Sequence, residues 1–347
     1  MVRVAINGYG RIGRVAHRII LEKHASEIDV VAINAGSSTD VKGWGYLLKY
    51  DSVYGPLSKS ITYKNYNDYK NYNFYIGSLE IDDKEIPVFS QKDPGLLPWK
   101  DLQVDVVLEC SGKLLTNEKA QGHFSAGAKK VVLSAPAKEE GIATYILSVN
   151  AEGYKNENLI SNASCTTNCI APVAKVILDN FGIEKAMMTT IHGYTSDQRL
   201  QDGGHKDYRR ARAAAINIVP TSTGATKAAA KTIPQLKDKF TGLAIRVPVP
   251  VGSLSDFTFL TSKNTSKDEV NEVFRKAAKD AQYTGILDIT EDPIVSSDII
   301  GSSYSSIVDL SLTQVVAGNM VKVIAWYDNE WGYANRLVEE AIMVGKT

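Results

Sequence analysis

The sequence predicts an α/β chain: a doubly covered, mainly parallel sheet in its first half and an α+β unit on a mainly antiparallel sheet in its second. Three observations carry this. Up to residue 133, short β-rich runs alternate with helical stretches, a glycine motif joins the first run to the first helix, and after residue 165 long β-rich runs dominate. Alternation of that kind reads as strands and crossover helices. Runs of strands with helices set apart read as a sheet packed on helices.

The elements follow in order. Residues 2–6 form a short apolar run, and 11–22 have helical spacing with Ile12, Val15, Ile19 and Ile20 on one face. Further apolar runs lie at 28–33, 104–108 and 130–133, with a helical stretch at 117–126. Residues 61–86 look like strands and turns rather than a crossover helix. Within them, 63–75 is rich in tyrosine, asparagine and lysine, and we read it as an exposed hairpin rather than an aromatic stripe for nucleic acid. A helix over 170–181 follows, then β-rich runs at 186–191, 242–249, 255–262, 306–316 and 320–327, with helices at 267–281 and 332–344.

Composition sets limits. The chain has 347 residues, long for one core, so two domains are expected. Lysine plus arginine equals aspartate plus glutamate at 39 each, which gives no bulk drive toward nucleic acid or an anionic membrane. No run approaches the roughly 18 apolar residues of a membrane span. The sequence enters a strand at once, without a signal-peptide pattern, and its three cysteines (Cys110, Cys165, Cys169) are an odd, sparse set. A cytoplasmic, reducing location is the expectation, with no metal site.

The chemistry starts at Gly8-Tyr9-Gly10-Arg11-Ile12-Gly13, between the first strand and first helix. Glycines spaced G-x-G-x-x-G let backbone N–H groups approach a pyrophosphate, and the helix N-terminus adds partial positive charge. This predicts a Rossmann-type dinucleotide site. NAD-specific sites of this type carry an acid after the second strand, whereas here Asn34-Ala35-Gly36-Ser37-Ser38 offers none. Serine hydroxyls and backbone can donate to the 2′-phosphate that a carboxylate would repel, so NADP is expected to be accepted and favoured over NAD.

Cys165 stands where an apolar run ends and a helix begins, in Ser161-Asn162-Ala163-Ser164-Cys165-Thr166-Thr167-Asn168-Cys169. A helix N-terminus stabilises thiolate, and adjacent hydroxyls and N–H groups can hold an anion. Cys169 and Cys110 are expected in the core. A thiolate nucleophile needs a basic or cationic partner. His17 and His24 belong to the first helix region, His123 to a surface-like helix and His205 to a charged loop. His192 ends a strand before Gly193-Tyr194-Thr195, and by position it is either a structural histidine or the thiol's partner.

The segments NGYGRIGR, LLKYDSVYG, SNASCTTNC, TTIHGYTSDQ, HKDYRRARAAA, PTSTGATKA, RVPVPVGS and AWYDNEWGYANR span nearly the whole chain. In kind and order they resemble the phosphorylating glyceraldehyde-3-phosphate dehydrogenases. The resemblance implies oxidation of D-glyceraldehyde 3-phosphate to 1,3-bisphosphoglycerate, in glycolysis or gluconeogenesis, with NAD or NADP reduced. Cys165 would form a hemithioacetal and then a thioester. His192 would be its base, and the Cys165 N–H and His192 ring would hold the oxyanion. Ser164, Thr166, Thr195, Arg210, Thr223, Gly224 and Arg246 would bind substrate and inorganic phosphate. The cofactor would meet Gly8, Gly10, Arg11, Ile12, Gly13, Asn34, Ala35, Ser37, Lys92, Ser111, Ser134, Asn329 and Tyr333. The resemblance also implies a homotetramer. The change of pattern after Cys165 puts the domain boundary near Asn162–Cys165, with the last helix packing back on the first part, which gives a dinucleotide-binding domain (1–164 plus 330–347) and a catalytic domain (165–329).

The chain departs from the family pattern where NAD-dependent members have aspartate, here Ala35, and where a leucine-proline pair is common, here Gly203-Gly204. Both departures resemble NADP-using members. Erythrose-4-phosphate dehydrogenase is the rival enzyme, and Thr195 favours the three-carbon substrate. A non-catalytic nucleotide- or nucleic-acid-binding role is the rival of another class, and intact Cys165, His192, Arg210 and Arg246 argue against it.

Overall fold

The computed structural model describes residues 1–65 and 72–347. The central part of the predicted 63–75 hairpin therefore lies outside the described residues. The chain forms two compact units. One comprises Met1–Thr144, Tyr154–Ala163 and Ala334–Thr347, and the other Tyr145–Gly153 and Ser164–Tyr333. The stretch Tyr145–Gly153, which the pattern of runs placed with the first half, groups with the second unit.

Among the described residues the first unit carries a nine-stranded sheet. Its order is Ala143–Thr144, Leu159–Ser161, Lys130–Leu133, Val106–Glu109, Val2–Asn7, Ile28–Asn34, Lys84–Phe89, Tyr75–Ile81 and Ile61–Lys64. Every pairing from Ala143–Thr144 through Lys84–Phe89 is parallel, and the last two strands run antiparallel. The parallel strands are apolar on both faces, and Val4, Ile6, Ile33, Val107 and Val132 are fully buried. The chain leaves Val2–Asn7 toward Ile28–Asn34 on one side and later returns as Val106–Glu109 on the other. That reversal makes a switch point, and Asn7, Asn34 and Glu109 are the last residues of its three strands.

The second unit holds an eight-stranded sheet among the described residues. Its main path runs Val219–Ser222, Phe240–Val247, Lys185–Gly193, Ser253–Leu260, Met320–Tyr327, Ser306–Asp309 and Leu287–Thr290, with Gln314–Val316 added against Met320–Tyr327. Most pairings are antiparallel. Lys185–Gly193 with Phe240–Val247, and Leu287–Thr290 with Ser306–Asp309, are parallel. Strand Ser253–Leu260 alternates buried and half-buried residues. Phe257 and Phe259 stack at 5.4 Å on the inner face, toward the side covered by helix Cys165–Phe181.

Local chemistry explains where the elements differ from expectation. The expected run 306–316 breaks at Leu310–Leu312, because Asp309 Oδ1 caps the turn by accepting from the Ser311 N–H and hydroxyl. Helix Val41–Lys49 was not foreseen. Gly43 and Gly45 weaken its pattern, and Asp40 supplies the start by accepting from the Gly43 N–H. The alanine-rich helix Ala225–Thr232 has no wide apolar stripe to announce it.

Candidate functional site: a dinucleotide groove and a capped thiol

In the first unit the glycine loop is shaped by close approach. Gly8 has φ +95°, and a Cβ there would meet Ser111 N at 2.4 Å. A Cβ on Gly13 would meet Gly8 O at 2.2 Å. Gly10 faces open space and caps helix Arg11–Lys23, which has no acid in its first turn. A groove of about 540 Å³ opens there, lined by Gly8, Gly10, Asn34, Ala35, Lys92 and Ser111, with Ser37 at its rim. A helix start without a side-chain cap and the cradle that a Cβ on Gly8 or Gly13 would fill suit a dinucleotide pyrophosphate. Arg11 does not line the groove but pairs with Asp51 (Nη2 to Oδ1, 3.3 Å). Ile12 and Gly13 follow in the first helix turn. The Ser134 N–H donates to Glu109 O.

A buried polar chain reaches this groove through Asn7, Asn34, Gln91 and Ser111, and of its members the sequence had singled out only Asn34 and Ser111. Trp99 Nε1 donates to His123 Nδ1 (3.0 Å), and His123 Nε2 meets Glu109 Oε2 (3.1 Å). Asn7 Nδ2 donates to the same carboxylate oxygen, Asn34 Nδ2 donates to Asn7 Oδ1 (2.6 Å), and the Gln91 N–H donates to Asn34 Oδ1 (2.9 Å). The other Glu109 oxygen accepts from the Ser111 N–H (2.8 Å) and hydroxyl. His123, expected on a surface-like helix, is fully buried because Trp99 and Glu109 take both ring nitrogens. Cys110, expected in the core, is half-buried and lines the groove. Burial pushes its thiol up to about 12, which leaves it a poor nucleophile.

The first unit's strand Leu159–Ser161 is followed by Ala163, a non-glycine residue at φ +52°, and the chain then enters the second unit at Ser164. Ser164 Oγ accepts from the Thr167 N–H (3.1 Å), capping helix Cys165–Phe181 so that Cys165 is its first residue. Cys169, one turn on, is buried with Sγ 3.9 Å from Ser255 Oγ, and burial raises its thiol to about 12.

His192 and Arg246 are paired across the parallel strands Lys185–Gly193 and Phe240–Val247, so their side chains share one face. Cys165 Sγ lies 3.3 Å from His192 Nε2. Arg246 Nη1 lies 2.7 Å from His192 Nδ1 and 3.1 Å from Gly193 O. Tyr327 walls the pair. Its ring sits edge-on to His192 at 6.0 Å, and its hydroxyl joins Thr166 Oγ1 (3.0 Å) and Thr190 Oγ1 (2.7 Å).

Electrostatics differ from the sequence expectation of a lowered thiol. Burial holds the Cys165 thiol above its ordinary value, against the pull of Arg246 and of hydrogen bonds from Thr166. Burial first, then Arg246, lowers His192 to about 3, so the imidazole is neutral at physiological pH. Desolvation, which penalises both charged forms, outweighs the helix terminus here.

The other expected residues are distributed around this pair. Arg210 is held by Asp197 (Nη1 to Oδ2, 2.6 Å), Thr221 Oγ1 (2.9 Å) and Ser222 O (3.2 Å). Its charge acts on both His192 and Arg246. Thr195 opens the turn closed by Gln198, Thr223 Oγ1 accepts from the Ala225 N–H, and Gly224 caps helix Ala225–Thr232. Asn329 Oδ1 accepts from Ser253 Oγ, which accepts from the Gly193 N–H. This chain ties Asn329 to the residue after His192, while Tyr333 is buried in the same unit.

Comparison with known families decides what this arrangement belongs to. Residues 2–117 match the family model "Glyceraldehyde 3-phosphate dehydrogenase, NAD binding domain", and residues 164–329 match "Glyceraldehyde 3-phosphate dehydrogenase, C-terminal domain". The chain belongs to the glyceraldehyde 3-phosphate dehydrogenase family. It is 51% identical over 350 residues to a glyceraldehyde-3-phosphate dehydrogenase of Mycobacterium tuberculosis, covering 100% of this chain and 99% of the relative. It is 49% identical to glyceraldehyde-3-phosphate dehydrogenase 2 of Streptomyces avermitilis, over 99% of this chain and 98% of that protein. Glyceraldehyde-3-phosphate dehydrogenase 2 of a Synechocystis species is 49% identical, over 100% and 99% of the two chains. The family's dinucleotide-binding fold and catalytic fold are thus both present. No helix among the described residues is long and apolar enough to cross a membrane.

Proposed function

We infer that this chain oxidises D-glyceraldehyde 3-phosphate to 1,3-bisphosphoglycerate, consuming inorganic phosphate and reducing NAD or NADP. The observation that carries the reading is the 3.3 Å approach of His192 Nε2 to Cys165 Sγ at a capped helix N-terminus, with Arg246 directly behind the ring. Cys165 Sγ attacks the aldehyde carbon as His192 Nε2 takes the thiol proton. The imidazolium gives that proton to the developing oxyanion, which the Cys165 N–H also holds, and a hemithioacetal results. His192 then takes the hydroxyl proton as the carbon gives up hydride. The nicotinamide supplies the hydride acceptor when bound. Phosphate oxygen adds to the resulting thioester carbon, and the sulfur leaves as thiolate.

Arg246 and Arg210, with Thr195, Thr223, Gly224, Ser164 and Thr166, are the groups suited to the two phosphates. The Nε–H of Arg246 is buried without an acceptor among the described residues, which supports an anion partner.

The cofactor reading favours NADP. Ala35, Gly36 and Ser37 line the groove without a carboxylate, and the nearest acid in the chain, Asp40, is engaged as the cap of Val41–Lys49. Lys92 adds a cation to the same groove. A homotetramer is supported by apolar side chains left exposed on the second unit, among them Tyr208, Ile216, Ile218 and Met187. Sedimentation tests it. A domain division near residue 164, with the C-terminal helix returning to the dinucleotide-binding part, and a reducing cytoplasmic location suited to three unpaired thiols complete the proposal. The experiment is a phosphate-dependent reduction assay with NAD and NADP in parallel. Turnover without phosphate, or none with this aldehyde, refutes the reading.

A further inference from the structure

His192 Nδ1 has two neighbours that require opposite protonation states. Gly193 O lies 2.7 Å away and accepts only if Nδ1 bears hydrogen. Arg246 Nη1, also at 2.7 Å, donates only if Nδ1 is bare. A neutral imidazole carries its hydrogen on one nitrogen or the other. The choice at Nδ1 therefore fixes Nε2, the atom beside Cys165 Sγ. Arg246 Nη1 also reaches Gly193 O at 3.1 Å. An arginine seated on Nδ1 thus satisfies the carbonyl as well, and the ring hydrogen goes to Nε2. Arg246 Nε meanwhile stays buried without an acceptor among the described residues.

We propose that Arg246 sets the tautomer of His192 and releases it when a phosphate-type dianion engages the guanidinium. The proposal rests on the functional reading above. With Arg246 on Nδ1, Nε2–H points at sulfur and can only donate. With Arg246 turned to an anion, Nδ1–H donates to Gly193 O, and Nε2 presents its lone pair to the thiol. The exchange moves one proton from Nε2 to Nδ1 by way of solvent and leaves the ring neutral. The thiol then gives its own proton to Nε2 as sulfur attacks. The substrate's phosphate thereby makes the base competent, and Arg246 acts as a positioning residue through His192.

The groups facing the pair are few. Arg246 comes from strand Phe240–Val247, and Arg210, itself paired with Asp197, from the preceding loop. Tyr327 comes from Met320–Tyr327, and Cys169 lies one helical turn along. The Tyr327 hydroxyl is raised by burial and stays neutral, so the switch involves Arg246, His192 and Cys165 alone.

The test reads the tautomer directly in the full-length enzyme. Histidine nitrogen resonances are recorded during a sulfate titration, sulfate being a dianion that does not itself titrate near neutrality. A His192→Asn variant assigns the signals. Nε2 is expected to carry hydrogen without sulfate and Nδ1 at saturation, and Arg246→Met is expected to show Nδ1–H without sulfate. In parallel, iodoacetamide labelling of Cys165 below its titration midpoint should slow about three- to tenfold with sulfate, because the thiolate then faces a lone pair and a neutralised arginine. If Arg246→Met does not fold, the wild-type titration alone decides. The same tautomer with and without sulfate in an enzyme that oxidises the aldehyde overturns the coupling and leaves the functional reading intact. Absence of that activity overturns the functional reading itself.

Discussion

Glu109 and His123 meet at 3.1 Å inside the first unit, and neither side chain is exposed. Their contact is the hub through which the Ser111 N–H, Asn7 and Asn34 are held at the ends of three adjacent strands. Glu109→Gln places an amide N–H among donors and leaves His123 with a weakened partner. We expect a loss of about 3 kcal/mol in stability, as for other broken buried pairs. The KM for the dinucleotide should rise about tenfold, equivalent to about 1.4 kcal/mol, with kcat at saturation little changed. Thermal denaturation and initial rates check both. An unchanged KM would show that the network holds the fold but not the groove.

His192→Asn removes the proton acceptor at Nε2 while keeping a polar group of similar size. The expected outcome is a fall in kcat of about 10²- to 10⁴-fold, with the aldehyde KM nearly constant. Steady-state kinetics with the phosphorylated aldehyde give the answer. A variant within a factor of about three of wild type would remove His192 from proton transfer.

The pH dependence follows from the two shifts. His192 is lowered to about 3 from an ordinary 6.5, so it is neutral across the working range and contributes no break near 6.5. The Cys165 thiol lies above its ordinary 9.0, so it is protonated around neutrality. Because the neutral thiol hands its proton to the neutral imidazole during attack, the free-enzyme profile of kcat/KM should stay level from about pH 6 to pH 8. An inflection near 6.5 that vanishes in His192→Asn would contradict these protonation states.

Ala35→Asp restores a carboxylate at the end of the second strand, inside the groove. Like charges brought together cost several kcal/mol, so kcat/KM for NADP should drop at least about tenfold. The value for NAD should hold or rise. Equal losses with both cofactors would mean that position 35 does not meet the adenine ribose.

Much of this architecture is legible in the sequence because it is enforced locally. Gly8 and Gly13 are dictated by approaches of 2.4 and 2.2 Å that no side chain survives, so the loop announces itself. Ser164 and Cys165 are adjacent in sequence to the helix they start, and capping chemistry marks the spot. Strand Met320–Tyr327 has the bounds its apolar run predicts.

What was not legible depends on register. Asn7 is 102 residues from Glu109, and only the parallel pairing of their strands brings the two side chains together. His192 and Arg246 are 54 residues apart and meet because strand pairing sets them opposite one another. The wrong expectation for His123 has the same origin, since its helix carries little apolar contrast and its burial comes from Trp99 and Glu109. The direction of the Cys165 shift was missed for a related reason: a helix start is visible in sequence, whereas the depth of the pocket around it is not.

The claim beneath all of this is that the Cys165 sulfur carries the acyl group. Mass spectrometry of the intact enzyme, given D-glyceraldehyde 3-phosphate and oxidised dinucleotide without inorganic phosphate, tests it most directly. The account predicts one phosphoglyceroyl adduct per chain, mapped to Cys165, discharged by added phosphate and absent from Cys165→Ser. An adduct on another residue, or undiminished turnover by Cys165→Ser, would contradict it.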